Sequence, residues 1–380
     1  MRVLQFGRFH NEQQNGGVER HQQLLCKGLA ANGLDVVYLV ASADRQPHDK
    51  TVDGYRLIQA PSFGTLFSTA LSPAQVFKAL ALHKEKPFDV LHLHFPNPLA
   101  HLASILFPAN VKRVITWHSD IVKQKRLLAL YRPFLQSVTR RADALIAATS
   151  AHYSSSTQIP KDIPHGKLHV IPYGLDFSIL ALTPHSDVLL KNLLSRANGQ
   201  AIIFALGRHV YYKGFDVLIA AMQHVDAQLI LGGDGPLKAE LENQAEQLGL
   251  RNKIRFTGSI AEENLAAYFH ACDVFCLPSV EQSEAFGLVQ LEAMACGKPV
   301  ICTQLNNGVN VVNQEGITGL AVPVRDISAL SNAINHLIKD QGLRCAMGKQ
   351  AKLHAVNEYS NVAMTDQHLK LYHTLLLNTS

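Results

Sequence analysis

The chain lacks any long apolar run. No stretch reaches about 18 uncharged apolar residues, so no membrane-spanning helix is expected. The opening Met1-Arg2-Val3-Leu4-Gln5-Phe6-Gly7 is too short an apolar run for a secretory signal. G-x-G-x-x-G is missing, which removes the dinucleotide fingerprint and disfavours a nicotinamide dehydrogenase. Asp-x-Asp is missing too, so no carboxylate pair of that kind is available to a metal. Cysteine is sparse, at positions 26, 272, 276, 296, 302 and 345. Cys272 and Cys276 lie four apart with no second pair, which is not a zinc pattern. The rest sit mostly in apolar runs as free thiols do, and a reducing, cytoplasmic compartment is expected. No disordered tail and no short repeat is expected.

What is present is apolar and only mildly basic. Hydrophobic residues make up 47% of the chain and charged residues 17%, enough for large cores. A length of 380 residues points to two domains. The formal net charge of +5 fits phosphate ligands or an anionic membrane surface better than nucleic acid.

Residues 2–6 read as a buried strand, 18–31 as a helix and 35–40 as a second strand. A loop ending in Asn15-Gly16-Gly17 separates the first two. Strand, glycine turn, helix, strand is the opening of a doubly wound α/β sheet. Gly16 and Gly17 serve either as a plain turn or as a place where backbone approaches a phosphate closely. Further strands are expected at 90–94, 113–117, 144–148 and 168–171. Ligands of such sheets bind beyond the carboxyl ends of strands. That puts His94, His118, Ser119, Asp120, Ser150, Tyr173 and Gly174 on the rim. His92 reads as a core histidine. The His92-x-His94 pair shares one face but has no third ligand in sight, a poor metal site. His118-Ser119-Asp120 ends a strand and begins a helix, with Ser119 or Asp120 as N-cap.

Segment 112–141 is basic. Lys112, Arg113, Lys123, Lys125, Arg126, Arg132, Arg140 and Arg141 face a single acid, Asp120. Leu127, Leu128, Leu130, Phe134, Leu135 and Val138 recur among them at helical spacing. Two readings stand: an amphipathic helix on an anionic membrane, or a helix packed on the sheet with a solvated basic face.

A linker is placed near 174–176, and a second sheet starts at 201–207. The loop Gly207-Arg208-His209-Val210-Tyr211-Tyr212-Lys213-Gly214 follows. Arg208 presents a bidentate fork and Lys213 a point charge, and both can converge on one diphosphate. Strands at 228–231 and 253–257 end in Gly232-Gly233-Asp234-Gly235 and Gly258-Ser259-Ile260.

The most informative stretch is 283–298. A helix is expected from about Gly287, stopped by Gly297, with Glu284 just before it and Glu292 inside it. Eight residues at 1.5 Å rise separate the two carboxylates by roughly 12 Å. Paired glycosidase carboxylates lie closer, at about 5–9.5 Å. The amides of Phe286, Gly287 and Leu288 are helix N-terminal donors, suited to an anion. The stretch suits one extended ligand with a negative middle and hydroxyls at both ends, as in a sugar nucleotide.

Glu284 through Glu292 resembles the E-x7-E signature of the family 4 retaining glycosyltransferases, in its E-x-F-G-L-x-x-L-E form. Ala293, Gly297 and Pro299 extend the resemblance. It implies the GT-B fold: an α/β chain of two facing Rossmann-like domains with parallel sheets and an interdomain cleft. The expected division is 1–174 for the acceptor side and 175–360 for the nucleotide sugar. A helix at 361–380 would cross back to the first domain. The resemblance gives Glu292 the ribose hydroxyls, Glu284 the donor-sugar hydroxyls and the Phe286–Leu288 amides phosphate or sugar oxygens. Arg208 and Lys213 match the diphosphate loop, and backbone at Gly258 and Ile260 meets the base. His118, with Asp120, would face the reacting sugar or acceptor. No cofactor and no metal is expected, the cations taking the metal's place on the diphosphate.

The run Trp117-His118-Ser119-Asp120-Ile121-Val122-Lys123-Gln124-Lys125 resembles a subset that builds bacterial surface polysaccharides, mannosyltransferases of O-antigen assembly among them. This implies GDP-mannose as donor, with a UDP-hexose as the alternative. It also implies a polyprenyl-diphosphate-linked glycan as acceptor, reached at the inner face of the cytoplasmic membrane. A sugar-nucleotide epimerase and a catalytically dead sensor are the rivals from other classes. The first needs acids placed for C2 chemistry. The second fits poorly with Arg208, Lys213, Glu284 and Glu292 all in place.

Overall fold

The computed structural model describes residues 1–9, 17–43, 45–66, 69–121, 125–284 and 286–377. They form two compact units, one of 1–175 with 360–380 and one of 176–359. The first unit runs β1 (Arg2–Phe9), α1 (Gly17–Ala31), β2 (Asp35–Ala41), β3 (His48–Val52), β4 (Tyr55–Ala60), β5 (Thr65–Leu66), β6 (Thr69–Ala70), α2 (Pro73–Glu85), β7 (Val90–Phe95), α3 (Pro98–Leu106), β8 (Lys112–Trp117), α4 (Lys125–Arg141), β9 (Ala144–Ala147), α5 (Ser150–Ser155) and β10 (Leu168–Val170). The second runs α6 (Pro184–Ala197), β11 (Ile202–Leu206), α7 (Phe215–Ala221), β12 (Gln228–Gly232), α8 (Lys238–Gln247), β13 (Ile254–Gly258), α9 (Glu262–Ala271), β14 (Val274–Leu277), α10 (Leu288–Ala295), β15 (Val300–Thr303), α11 (Gly308–Val312), β16 (Gly319–Val322), α12 (Ile327–Lys339) and α13 (Gln341–Tyr359). The last helix, α14 (Asn361–Leu377), belongs to the first unit.

Each unit is a parallel sheet with helices on its faces. The first sheet has the order β10-β9-β8-β7-β1-β2-β4-β3, parallel except for the antiparallel β3–β4 edge. The second has the order β13-β12-β11-β14-β15-β16, parallel throughout. Strands covered on both faces need near-continuous apolar sequence, as in Val36-Val37-Tyr38-Leu39-Val40 and Ile202-Ile203-Phe204-Ala205. Among the parallel strands of each sheet the order reverses once, between β1 and β7 and between β11 and β14. Such a switch point opens a crevice at the carboxyl ends of the two strands. The hairpin edge β3–β4 and the helices α2 and α6 are not anticipated from the sequence.

Two apolar layers flank the first sheet. One joins Leu4, Phe6, Leu91, Leu93 and Ile115 to α2, α3 and α4. The other joins Val3, Tyr38, Val90 and Val114 to α1 and α14 through Leu25, Leu29, Met364, Leu371 and Tyr372. The contact of α14 with α1 is close: a Cβ on Gly28 would stand 2.1 Å from Thr365 Oγ1. The chain turns into α14 at Ser360, where Asn361 N–H donates to Leu175 O at 2.8 Å.

The basic segment is less isolated than its sequence implies. Asp143 pairs with Lys112 at 3.7 Å and Asp162 with Arg140 at 2.8 Å, both acids lying outside 112–141. Arg113 donates to the carbonyls of Ser104 and Phe107 at 3.1 and 2.8 Å. Leu135 and Val138 of α4 are buried in the sheet layer, whereas Leu130 is 82% exposed. Lys123 lies outside the described residues. Among the described residues no helix is long and apolar enough to cross a membrane.

Histidines buried in this unit make its stability depend on pH. His101 on α3 is sealed in the core with Nδ1 against the Tyr131 hydroxyl, and burial lowers its pKa to about 3. His368 on α14 is lowered to about 4, again by burial. The folded form refuses a proton that the unfolded chain accepts near pH 6.5. Stability is therefore complete above pH 6.5 and falls as the pH drops from 6.5 toward 4. Each histidine contributes a slope of about 1.4 kcal/mol per pH unit. Denaturant titrations at pH 7, 6 and 5 should show this loss, with a shallower slope for His101→Gln. Equal stability at pH 7 and 5 would contradict it.

Candidate functional site

The second unit's switch point gathers the charged residues singled out above. The loop after β11 carries Gly207, Arg208 and Lys213, and the loop after β14 carries Ser279 and Glu284 before α10 begins. Backbone contacts lock the two loops together. Val280 N–H donates to Tyr212 O at 2.8 Å. Gly214 sits at φ +66°, where a Cβ would lie 2.1 Å from Pro278 O, so only glycine lets the loops approach this closely. The approach delivers Lys213 Nζ to Glu284 Oε2 at 2.5 Å, with Ser279 Oγ donating to the same oxygen at 3.1 Å. Both side chains are nearly buried, at 12% and 11% exposure. Two partners hold the Glu284 carboxylate at one end and leave its second oxygen, Oε1, without a described partner.

Lys213 was expected to reach a diphosphate beside Arg208. The structure instead pairs it with Glu284, 71 residues away in sequence. Arg208 is exposed and, among the described residues, its guanidinium has no ion-pair or hydrogen-bond partner. The loop that carries it is fixed by its neighbours: Gly207 N–H donates to Gly232 O at 3.1 Å and His209 N–H to Asp234 O at 2.9 Å. Gly233 N–H donates in turn to Gly258 O at 2.8 Å, which ties in the end of β13. Ile260 closes over Gly232, where a Cβ would meet Ile260 Cδ1 at 2.8 Å. Gly258 and Ile260 thus belong to the same strand-end surface as Arg208.

Gly287 caps α10 in the left-handed region, φ +67°, and a Cβ there would press on Leu277 at 2.5 Å. Gln290 closes the turn, its N–H reaching Gly287 O at 2.9 Å and its Nε2 reaching Phe286 O at 2.8 Å. Phe286 is buried against Tyr359. The amides of Gly287 and Leu288 have no acceptor among the described residues, as expected at a helix start. Glu292 is half-buried farther along α10. Asn307 Nδ2 donates to Glu284 O at 2.8 Å. Neither Asn307 nor Ser279 carries a sequence signal of its own.

In the first unit, Gly17 opens α1 and Gly16 lies outside the described residues. Arg8 at the end of β1 pairs with Glu19 of α1 at 2.9 Å, a pair the sequence reading did not find. Asp120, expected at the reacting sugar and as a helix cap, is bonded within its own surroundings. Its carboxylate accepts from Trp117 Nε1, Ser156 Oγ and Thr157 N at 3.0, 2.7 and 2.9 Å. Those donors occupy most of its lone pairs, and α4 begins only at Lys125. Asp120 fastens the 118–121 loop to residues 156 and 157. Both ring nitrogens of His118 are also engaged, Nε2 with His94 Nδ1 at 3.1 Å and Nδ1 with the Tyr173 hydroxyl at 3.0 Å. His92, read as a core histidine, is bonded to Tyr372 and Thr116 at 2.6 and 2.7 Å. His21 of α1 lies beside His94 and His118, with one nitrogen of each within 4.8 Å of the others.

Two family models match the chain in succession. The family described as Glycosyltransferase Family 4 matches residues 15–178. Glycosyl transferases group 1 matches residues 191–354. The O-antigen chain mannosyltransferase C of Escherichia coli is 29% identical over the full length of both chains. The D-rhamnosyltransferase WbpZ of Pseudomonas aeruginosa is 33% identical across 93% of this chain and 90% of its own. Among solved structures, the Anabaena protein HepE in complex with UDP superposes with a TM-score of 0.73 at 21% identity, covering 98% of this chain and all of that one. The chain therefore belongs to the family 4 and group 1 glycosyltransferases, hexosyl-transferring enzymes built on the GT-B pair of parallel-sheet units.

Proposed function

We propose that the enzyme transfers mannose from GDP-mannose, with retention of configuration, to a polyprenyl-diphosphate-linked glycan during assembly of an O-antigen or related surface polysaccharide. The observation that carries this reading is the end-to-end match to an O-antigen mannosyltransferase, on a chain that keeps the whole Arg208, Lys213, Glu284 and Glu292 set. In this reading the second unit holds the donor and the first serves the acceptor. Glu284 accepts donor-sugar hydroxyls on the edge left open by Lys213 and Ser279. Glu292 accepts the ribose hydroxyls, and backbone at Gly258 and Ile260 meets the base. Arg208 takes the negative charge that grows on the diphosphate as the glycosidic carbon becomes cationic. The Gly287 and Leu288 amides add fixed dipoles at no cost in reorganisation. Lys213 acts through Glu284, holding its carboxylate in place. No metal is assigned to the diphosphate, and no covalent nucleophile is named. A UDP-hexose is the alternative donor, because the same phosphate chemistry serves either base. Peripheral contact with an anionic membrane is assigned to α4, where Leu130 projects on the helix that also carries exposed Arg141.

Donor class is tested by thermal unfolding with GDP, UDP, GDP-mannose and UDP-sugars. A ligand at about 100 times its dissociation constant adds roughly 2.7 kcal/mol. Guanine nucleotides alone should give that shift. Uridine nucleotides alone would replace mannose with a UDP-hexose. In steady-state assays, Arg208→Ala should lower kcat by about 10²–10³-fold. Glu292→Ala should instead weaken nucleotide binding by about 10–100-fold. Normal turnover by the Arg208 variant would refute its role. The protein should also sediment with anionic liposomes at low salt and stay in solution with neutral ones. Equal recovery from both would remove the membrane contact.

A further inference from the structure

We propose that His21, His94 and His118 form a binding site for one zinc-class divalent cation in the first unit. The site goes beyond the donor reading and does not depend on it. The three rings come from separate elements at the sheet's switch point: the second turn of α1, the end of β7 and the residue after β8. All three side chains are buried.

The orientation of His94 is imposed by groups behind it. Gln5 of β1 is fully buried. Its Nε2 lies 3.2 Å from both His92 Nδ1 and the Tyr372 hydroxyl, which leaves Oε1 to face His94 Nε2 at 2.8 Å. A carbonyl oxygen only accepts, so His94 carries its proton on Nε2. Its Nδ1 lone pair then points at His118 Nε2, 3.1 Å away. The far nitrogen of His118 meets the Tyr173 hydroxyl at 3.0 Å. A far ring nitrogen held by a fixed oxygen is the usual support of a metal-bound histidine.

His21 is the independent observation. Both its ring nitrogens are buried and, among the described residues, have no hydrogen-bond partner. The ring stands edge-on to His118 and Tyr173, at 5.4 and 5.0 Å between centroids. A buried polar nitrogen without a partner is destabilising, and a cation among the three rings supplies the partner that His21 lacks. Burial also keeps His21 and His94 neutral, the form that ligates. Among the described residues the cluster contains no carboxylate. All-imidazole donors select zinc, cobalt, nickel or copper ions over magnesium, manganese or calcium. Three histidines leave a fourth position for a solvent molecule. A bound ion would clip the start of α1 to β7 and β8.

The test is a Co²⁺ titration of untagged full-length protein after chelator treatment. Visible absorption bands of four-coordinate Co²⁺ should grow to one ion per chain and disappear on adding Zn²⁺. Tyr173→Phe removes only the oxygen behind His118 and should weaken Co²⁺ binding about 10–100-fold. His21→Gln should lose the bands while its circular dichroism stays that of the parent. Absence of the bands in the parent protein overturns the proposal whatever the variants do. Bands of equal strength in His21→Gln overturn it too, since other histidines would then hold the metal. A high-resolution crystal structure of Zn²⁺-soaked protein with only water between the rings and no anomalous zinc signal would do the same.

Discussion

Parallel strand pairing is the constraint on which both units rest. A parallel neighbour can be reached only by a crossover, and the crossover helices cover both faces of the sheet. The loops that remain free are those at the strand ends, and the carboxyl ends at a reversal of strand order splay apart. In the second unit the reversal falls between β11 and β14, and in the first between β1 and β7. The Arg208, Lys213 and Glu284 group lies at one and the His21, His94 and His118 group at the other. Neither group shares an element with a rigid motif of contiguous sequence. Each is assembled because two strands that pair in the sheet end side by side.

The Lys213–Glu284 pair shows what such assembly adds. A lysine and a glutamate taken out of water lose hydration, and their attraction offsets that loss only with good geometry and further hydrogen bonds. Ser279 provides one of those bonds. The pair leaves one carboxylate oxygen of Glu284 without a described partner and the Arg208 guanidinium exposed. A side chain that would otherwise be a second mobile cation becomes part of the framework.

The first unit uses neutral polar groups in the same way. Gln5, His92, Thr116 and Tyr372 form a bonded chain through a fully buried layer. Each bond restricts the next ring, so that His94 has one tautomer and one direction left. Asp120 does the comparable work for the rim, where four of its neighbours' donors meet one carboxylate. Buried polar networks of this kind are demanding, because any member left without a partner is costly in a low dielectric.

Much of this was written locally. Apolar runs such as 36–40 and 202–205 have only one stable use, as strands buried on both faces. Gly207, Gly233 and Gly287 mark the turns where those strands end, and the spacing of Glu284, Phe286, Gly287, Leu288 and Glu292 marked the family. What the sequence could not hold were the pairings across distance. Lys213 and Glu284 are 71 residues apart, and nothing in the loop after β11 says that its lysine will meet this carboxylate. Asp120 reads as a helix cap because its neighbours in sequence suggest one, and only folding brings Ser156 and Thr157 to it. His21 looks like an ordinary helix residue until α1 lies on the sheet. Local sequence determined the elements, their order and the glycines between them, since backbone geometry and burial act over a few residues. Which side chains meet was decided by strand order in the sheets, a property that exists only once the chain has folded.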